Sequence, residues 1–239
     1  MNSQQPKLGA AFRDGQLVMI EDVESGLACG CVCPACGTQL VARKGQVRLH
    51  HFAHHNAKPC EYGAEMIAVC LADWILRETM KFNVPPIYSM PKCILSPLKT
   101  LELEELVIGN PFESPIPDLL LRDKEGNRLI VQVRINHEAE QGKILRIGEE
   151  GCSAVEVRVP RCELLSAEEI RKVVVGNVGS KYWLFNREAA IERYLHHNAP
   201  DGLGRGYKFD EDYYGYFPGD LTCGNAPFPW LASATGGDS

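Results

Sequence analysis

Apolar and polar residues alternate in patterns that predict strands and helices along most of the chain. Alternating apolar positions between residues 9 and 21 flank the turn dipeptide Asp14-Gly15, which predicts a β-hairpin. Between residues 61 and 80, apolar side chains recur at three-to-four spacing, which predicts a helix. Pro85-Pro86 follows this segment and prevents the helix from continuing. Further strands are predicted at 87–95 and 101–108.

The clearest strand pattern lies between residues 116 and 135. Two apolar runs, 116–122 and 128–135, are separated by the turn-forming residues 123–127, which predicts a second hairpin. The elements predicted after it are a helix over 138–147, a strand over 153–159, a helix whose capping box is Ser166 and Glu169, a strand over 181–185 and a helix that Asn186 caps. This order predicts an α/β fold with a mixed sheet.

The composition is that of a globular protein. Of the 239 residues, 45% are apolar and 23% are charged, which excludes a disordered chain, a collagen and a coiled coil. No apolar run approaches the ~18–20 residues of a membrane-spanning helix, and residues 1–14 lack the apolar core of a signal peptide. We therefore expect a cytoplasmic protein without a membrane partner. The net charge of −6 argues against a general nucleic-acid-coating protein but allows a local basic patch.

Composition and motifs divide the chain into three predicted parts. Residues 1–60 comprise the N-terminal hairpin and a module rich in cysteine and histidine, and residues 61–197 form an α/β core. Residues 198–239 are rich in Gly, Pro and aromatic residues and poor in aliphatic ones, which predicts an irregular extension. This extension either packs on the core or docks a protein partner.

The cysteine- and histidine-rich module predicts a structural zinc site. Cys33-Pro34-Ala35-Cys36-Gly37 is a knuckle that directs two thiolates at one ion, and a histidine-rich stretch follows at 50–55. His51 and His54 are three residues apart and can share one face of a turn, so we expect Zn²⁺ to be held by Cys33, Cys36, His51 and His54. Cys60 can replace one of the histidines, and Cys29 or Cys31 is a weaker substitute.

The same module carries the basic bias of the chain. No Asp or Glu occurs from Ser25 to Cys60, whereas Arg43, Lys44, Arg48 and Lys58 are present. These four cations are candidate contacts to the phosphates of DNA. The alternative is a solvated surface next to a metal site.

A second set of polar residues is predicted on the strands at 116–135. Side chains alternate along a strand, so Gln132 and Arg134 share one face, and Asp118 begins the neighbouring strand. With Glu65 on the preceding helix, this pattern is the skeleton of a metal-dependent phosphodiesterase site, in which acidic groups hold Mg²⁺ or Mn²⁺. However, Gln132 is a neutral amide, and Arg134 cannot lose a proton to act as a base. The catalytic set is therefore incomplete.

Together these motifs resemble the CoiA-like competence proteins. Members of that family have a Cys-x-x-Cys knuckle, a His-Phe-x-His stretch, a helix that opens with Glu, and a nuclease core of the PD-(D/E)xK, restriction-endonuclease-like type. The matching stretches here are Cys33-Pro34-Ala35-Cys36, His51-Phe52-Ala53-His54, Glu65, Pro117-Asp118, Gln132 to His137, Lys143 and Val155-Glu156-Val157. The resemblance covers roughly residues 10–195.

The resemblance implies a restriction-endonuclease-like αβββαβ core preceded by a small zinc-binding module. It marks Glu65, Asp118, Gln132 and Arg134 as a former or modified catalytic site, because the family usually has Glu at the position of Gln132 and a Thr-His pair at 136 and 137. We expect a DNA-processing or DNA-binding protein with a degenerate nuclease-like core. Two alternatives stay open: an active Mg²⁺- or Mn²⁺-dependent DNA nuclease, and a non-catalytic accessory or inhibitor module that uses its aromatic extension to dock a protein.

Overall fold

The computed structural model describes residues 5–89, 93–110, 116–135, 141–176 and 178–197, so the predicted extension 198–239 lies outside the described residues. The strands are β1 (Lys7–Leu8), β2 (Ala10–Arg13), β3 (Gln16–Met19), β4 (Leu40–Arg43), β5 (His51–His54), β6 (Lys81–Val84), β7 (Ile87–Ser89), β8 (Cys93–Ser96), β9 (Lys99–Gly109), β10 (Asp118–Asp123), β11 (Arg128–Arg134), β12 (Ser153–Arg158), β13 (Leu164–Leu165) and β14 (Lys181–Phe185). The helices are α1 (Gly63–Thr79), α2 (Gln141–Glu149), α3 (Ala167–Arg171) and α4 (Arg187–His197).

The larger sheet has six strands in the order β14-β12-β11-β10-β9-β6. β11 and β12 run parallel, and the other neighbouring strands run antiparallel. Parallel neighbours need a crossover connection, and α2 lies in the connection between β11 and β12. The predicted mixed α/β architecture is therefore confirmed.

Strand alternation gives the six-stranded sheet two different faces. One face buries a row of apolar side chains, among them Leu119, Val131 and Val155, in the same core cluster as the apolar stripe of α1. On the other face, Ile130 packs with Ile147 of α2 in a smaller cluster. Helix α1 and helix α2 therefore cover opposite faces.

A second sheet has four strands in the order β13-β1-β5-β4. The short strand β1 pairs in parallel with β13 and antiparallel with β5, so the N-terminal segment joins the histidine-bearing strand to the segment after β12. Buried residues of this region, such as Phe52, belong to the same apolar cluster as Ile67 of α1. The boundary between residues 60 and 61 stays a prediction.

Most local predictions correspond to observed elements. The first hairpin is β2 paired with β3, and both turn residues, Asp14 and Gly15, have positive φ (52° and 77°). Ser166 caps α3 by accepting a hydrogen bond from the Glu169 N–H, as its capping box predicts. Asn186, directly before α4, accepts a hydrogen bond from the Ala189 N–H through its side-chain oxygen.

The region after α1 differs from the sequence prediction. Met80 adopts a left-handed conformation (φ 47°), and its N–H donates to the Leu76 carbonyl, which ends the helix. The chain then enters β6, a strand that the apolar pattern did not predict, which pairs with β9. Within the described residues, no helix is long and apolar enough to cross a membrane.

Gly9 provides a test of the contact between the N-terminal segment that contains β1 and the segment that contains β13. Its N–H donates to the Leu165 carbonyl, and a Cβ at this position would lie 2.6 Å from that carbonyl oxygen. We expect Gly9→Ala to lower the free energy of unfolding by about 1–3 kcal/mol, because backbone atoms cannot give way easily. Urea denaturation followed by circular dichroism measures the change.

Gly45→Ala is the matched control for Gly9→Ala, because a Cβ at Gly45 would meet nothing within 4 Å. The urea concentration at the midpoint of its unfolding should equal that of the unsubstituted chain. Equal midpoints for both variants would contradict the close approach of β1 to β13.

Candidate metal centre and buried polar row

Four donor atoms converge between the knuckle, the end of β5 and the start of α1. The sulfurs of Cys33, Cys36 and Cys60 and a ring nitrogen of His54 all lie within 4.8 Å of one another. Cys33 Sγ is 3.7 Å from Cys60 Sγ, and Cys36 Sγ is 3.3 Å from His54 Nε2. A tetrahedron with metal–sulfur bonds of about 2.3 Å has edges of about 3.8 Å. The cluster therefore has the size of a four-coordinate metal site.

Local hydrogen bonds hold the knuckle in place. The Cys33 N–H donates to the Thr38 carbonyl at 2.9 Å, and the Gly37 N–H donates to the Cys33 carbonyl at 2.8 Å. Gly37 has a φ of 71°, a conformation that glycine adopts without steric cost. The β4–β5 hairpin then returns the chain to the knuckle and places His54 at its end, opposite Leu40.

The cluster includes Cys60 and does not include His51. Residues 51–54 form strand β5 rather than a turn, and side chains three apart on a strand point to opposite faces. His54 is buried beside the sulfurs, whereas the His51 Nδ1 lies 2.8 Å from the Leu49 carbonyl oxygen. The predicted set of Cys33, Cys36, His51 and His54 is corrected to Cys33, Cys36, His54 and Cys60, the alternative in which Cys60 replaces a histidine.

Cys29 and Cys31 lie outside this cluster, in the apolar core. Both side chains are buried. The Cys29 thiol donates to the Leu40 carbonyl, and the Cys31 thiol donates to the Cys29 carbonyl. Burial, with the neighbouring Cys29 thiol, raises the pKa of Cys31 to about 12, so this thiol stays protonated.

The electrostatics of the cluster favour a bound cation. Burial, together with the adjacent thiols of Cys36 and Cys33, raises the pKa of Cys60 to about 12. Burial also raises the pKa of Cys33. At Cys36 the effect of burial is outweighed by hydrogen bonds with Thr38 and His54, which lower the pKa to about 6. Three thiolates this close together repel one another, and a divalent ion removes that repulsion.

Gly63 is a part of the site that sequence analysis missed. A Cβ at this position would lie 2.9 Å from Cys60 Sγ and 3.4 Å from Cys33 Sγ. Gly63 is also the first residue of α1, so the positive end of the helix dipole begins beside the sulfurs. The sequence did carry a signal for it, because Gly63 follows the candidate ligand Cys60 by three residues and lies at the start of the predicted helix.

The donor set fits zinc. Three thiolates and one imidazole form a closed tetrahedral site of the Cys₃His type, which is typical of structural zinc. Cys33, Cys36, His54 and Cys60 would hold the ion, and no coordination position would remain for a substrate or water.

The predicted basic residues differ in their surroundings. Arg43, Arg48 and Lys58 are exposed. The Lys44 ammonium instead donates to the carbonyls of Glu21 and Val23, which ties it to the backbone. A cavity of about 260 Å³ adjoins the metal cluster, and the residues that line it include Lys7, Arg43, His51, His54, Pro59 and Cys60.

A row of buried polar residues crosses three strands of the six-stranded sheet. Leu119 pairs with Val131, which places Asp118 and Gln132 at the next position on β10 and β11. Gln132 pairs with Glu156 on β12. The relative exposure of these side chains is 0%, 0% and 2%. The row lies on the face that α2 covers, so we call Asp118, Gln132 and Glu156 the buried polar row.

Cations of the chain already accompany both carboxylates of the buried polar row. The Lys143 ammonium, carried by α2, lies 2.9 Å from each oxygen of Asp118, and Arg134 Nη2 lies 3.5 Å from Oδ1. Arg158 donates from its Nε to Glu156. Burial raises the pKa of Asp118, while the two cations beside it favour the ionised form. This arrangement does not fit Mg²⁺ or Mn²⁺, because the carboxylate of Asp118 is buried and neutralised.

Glu65, predicted as a further carboxylate ligand, has a different contact. Its Oε2 accepts a hydrogen bond from the Ile135 N–H at 3.1 Å, and it belongs to α1 on the opposite face of the sheet. Glu156 was not predicted as a site residue, although its position between Val155 and Val157 already indicated a polar side chain on an otherwise apolar strand. His137, which ends one of the stretches that match the family, lies outside the described residues.

Comparison with known proteins supports a relationship for the metal-binding module. Residues 27–63 match the family model of the competence protein CoiA, N-terminal domain. All four clustered donors lie inside this segment. No curated protein and no solved structure matches the chain.

The two histidines of β5 provide a matched pair of variants for the metal site. We expect His54→Ala to lose stoichiometric zinc and to unfold at a lower temperature, because the site would keep three donors and metal binding contributes to folding. His51→Ala should keep one zinc per chain. Elemental analysis of purified protein and thermal denaturation measure both properties. Zinc loss in His51→Ala with retention in His54→Ala would contradict the cluster.

Gly63→Ala tests the close approach of α1 to the sulfurs. Alanine favours helices more than glycine by ~1 kcal/mol, so without a clash this change should stabilise the protein. We expect weaker zinc binding instead, measured by competition with a chromogenic chelator, because the new methyl group would displace Cys60. Gly45→Ala, at an open position of the same module, should bind zinc as the unsubstituted chain does. Unchanged affinity in Gly63→Ala would show that the site tolerates a Cβ there.

Proposed function

We propose that this protein is a DNA-processing protein of the CoiA-like kind that binds nucleic acid through a zinc-stabilised module and does not cleave it. The observation that carries the proposal is the buried polar row, because Asp118 and Gln132 lie on neighbouring strands of a sheet with the element order of the endonuclease-like core. The family match over residues 27–63 supports the same relationship for the zinc module.

The order of elements supports an endonuclease-like core of the PD-(D/E)xK type. Helix α1 precedes the antiparallel strands β9, β10 and β11, and α2 then crosses over to the parallel strand β12. Apart from β6, β7 and β8, which lie between α1 and β9, this is the αβββαβ order that the resemblance implies. The additional strands β6 and β14 extend the sheet at its two edges.

The contacts of Asp118 argue against hydrolysis. A metal-dependent nuclease needs carboxylates that can bind a divalent ion, and the ion needs open positions for water and phosphate. Asp118 is fully buried, and its oxygens contact Lys143 and Arg134. Gln132 contributes a neutral amide, so the neighbouring strand supplies no second carboxylate beside Asp118. The active-nuclease alternative is therefore less well supported than binding.

Nucleic-acid contacts are best placed on the exposed side of the zinc module. Arg43, Arg48 and Lys58 are exposed, and the tip of the β4–β5 hairpin between residues 44 and 50 contains no acidic residue. Val47 at this tip is 96% exposed, so the tip can contact a partner directly. Because the whole chain is acidic, we propose that DNA contacts are confined to this surface and depend on salt. The protein-docking alternative concerns residues 198–239 and stays a prediction.

Two variants with the same loss of charge test the proposed surface. The first combines Arg43→Gln, Arg48→Gln and Lys58→Gln, and the second combines Lys81→Gln, Lys99→Gln and Arg122→Gln, which are exposed residues of the core. We expect the first variant to bind labelled DNA roughly tenfold more weakly and its salt slope to fall by about 2–3, because each phosphate contact contributes about one unit. The second should bind as the unsubstituted chain does. Fluorescence anisotropy over a salt series measures both quantities.

Equal effects of the two triple variants would contradict a localised DNA surface, and absence of DNA binding by the unsubstituted protein would contradict the proposed function. Cleavage is measured on the same single- and double-stranded substrates with Mn²⁺. We expect no cleavage above the level of Asp118→Asn. Cleavage that Asp118→Asn abolishes would support the active-nuclease alternative.

A further inference from the structure

The cavity of about 260 Å³ beside the metal cluster is lined by basic side chains from three strands. Lys7 of β1, Arg43 of β4 and His51 of β5 contribute to its wall, and no described Asp or Glu does so. Arg43 and His51 are direct cross-strand partners, and Lys7 lies beside β5 because Leu8 pairs with Phe52. The fold therefore gathers basic side chains at one concave place of an acidic chain.

The Arg43 guanidinium has unused donors at this cavity. Among the residues that the structure describes, it has no hydrogen-bond partner and no ion-pair partner. Arginine is always charged, and its planar fork of donors matches the oxygens of a phosphate group. His51 differs, because its Nδ1 already donates to the Leu49 carbonyl. The charges that can attract an anion are therefore those of Arg43 and Lys7.

The start of α1 forms another part of the wall. Gly63 and Ala64 are the first two residues of this 17-residue helix, and the side chain of Tyr62 does not cap it. The N–H groups of a first helical turn have no partner within the helix. An anion that the two cations hold in the cavity would also gain from these N–H groups.

Two negative groups oppose an anion at this place. A zinc ion with three thiolates and one imidazole carries one negative charge, and Glu163 Oε1 lies 2.7 Å from Lys7 Nζ. The ion pair is exposed, with 36% of the Lys7 side chain and 71% of the Glu163 side chain accessible, so it holds Lys7 weakly. Lys7 can therefore exchange the carboxylate for an anion in the cavity, and Glu163 is a competitor of that anion.

The volume of the cavity suits one phosphate group. At ~30 Å³ for each water molecule, 260 Å³ holds about nine of them, which is room for a phosphate group with several waters. Pockets that bury drug-sized ligands are larger, at about 300–1,000 Å³. The space therefore favours a single phosphate group over a ligand of that size.

We propose that Lys7, Arg43 and the start of α1 form a phosphate-binding pocket beside the zinc cluster, and that Glu163 limits its affinity by competing for Lys7. The inference rests on the proposed function only for the source of the phosphate, which is the backbone of a bound nucleic acid. It adds Lys7 to the proposed DNA surface and places Arg43 at a defined pocket on it.

Inorganic phosphate is the probe, added to the zinc-loaded full chain at constant ionic strength and followed by ¹H–¹⁵N NMR. We expect the amide signals of Gly63 and Ala64 to shift saturably. Arg43→Gln should weaken binding roughly fivefold, because it removes the bidentate contact. Glu163→Gln should tighten binding about threefold, because it releases Lys7 from an exposed ion pair.

Lys81→Gln and Glu168→Gln are the matched controls, because each removes the corresponding charge at an exposed position that does not line the cavity. Both should bind phosphate as the unsubstituted chain does. Absence of a saturable shift at Gly63 and Ala64 would overturn the proposal. Equal weakening by Arg43→Gln and Lys81→Gln would overturn it as well, and so would a Glu163→Gln variant that binds phosphate no more tightly than the unsubstituted chain.

Competition with labelled DNA tests the source of the phosphate. We expect phosphate to displace DNA more than chloride does at equal ionic strength, measured by fluorescence anisotropy. Phosphate binding without such displacement would keep the pocket and overturn its assignment to nucleic acid. Phosphate binding by a chain that binds no DNA would contradict the proposed function alone, and DNA binding without phosphate binding would contradict this inference alone.

Discussion

The structure depends most on the crowding of three thiols and one imidazole between the knuckle, β5 and α1. Without a cation, the thiols of Cys33 and Cys60 resist ionisation, as their raised pKa values indicate, because burial and the neighbouring sulfurs disfavour a further thiolate. A zinc ion would turn this repulsion into four bonds. Because α1 begins at Gly63, against the sulfurs, and packs on the six-stranded sheet, the cluster also fixes the helix that lies between the module and the core.

The buried polar row solves a related electrostatic problem without a metal. A carboxylate with no exposed surface needs compensation, and Asp118 obtains it from Lys143 and Arg134. Lys143 belongs to α2, so the ion pair also attaches the crossover helix to the strands that it connects. Removing one member of such a pair is costly, since the other charge remains buried. We therefore assign the row a structural part in the fold.

Local patterns predicted the regular elements well and the contacts between distant segments poorly. Turn residues and apolar periodicity were sufficient for the first hairpin, for α1 and for the β10–β11 pair. The choice between His51 and Cys60 depended on whether residues 51–54 form a turn or a strand, and four residues carry too little periodicity to decide. The pairing of β1 with β13 joins two-residue strands more than 150 positions apart in the chain, and no local signal encodes it. The Lys143 contact likewise requires knowing how α2 packs.

The two clusters differ in chemistry but share one property, and this property bears on function. A zinc ion at Cys33, Cys36, His54 and Cys60 would use all four donors in a closed tetrahedron, and Asp118 already contacts the Lys143 ammonium. A metal that activates water needs an open coordination position, and neither arrangement provides one. We therefore propose that both clusters hold the fold together and that the exposed cations of the zinc module contact a partner. This is why we infer recognition of nucleic acid rather than its hydrolysis.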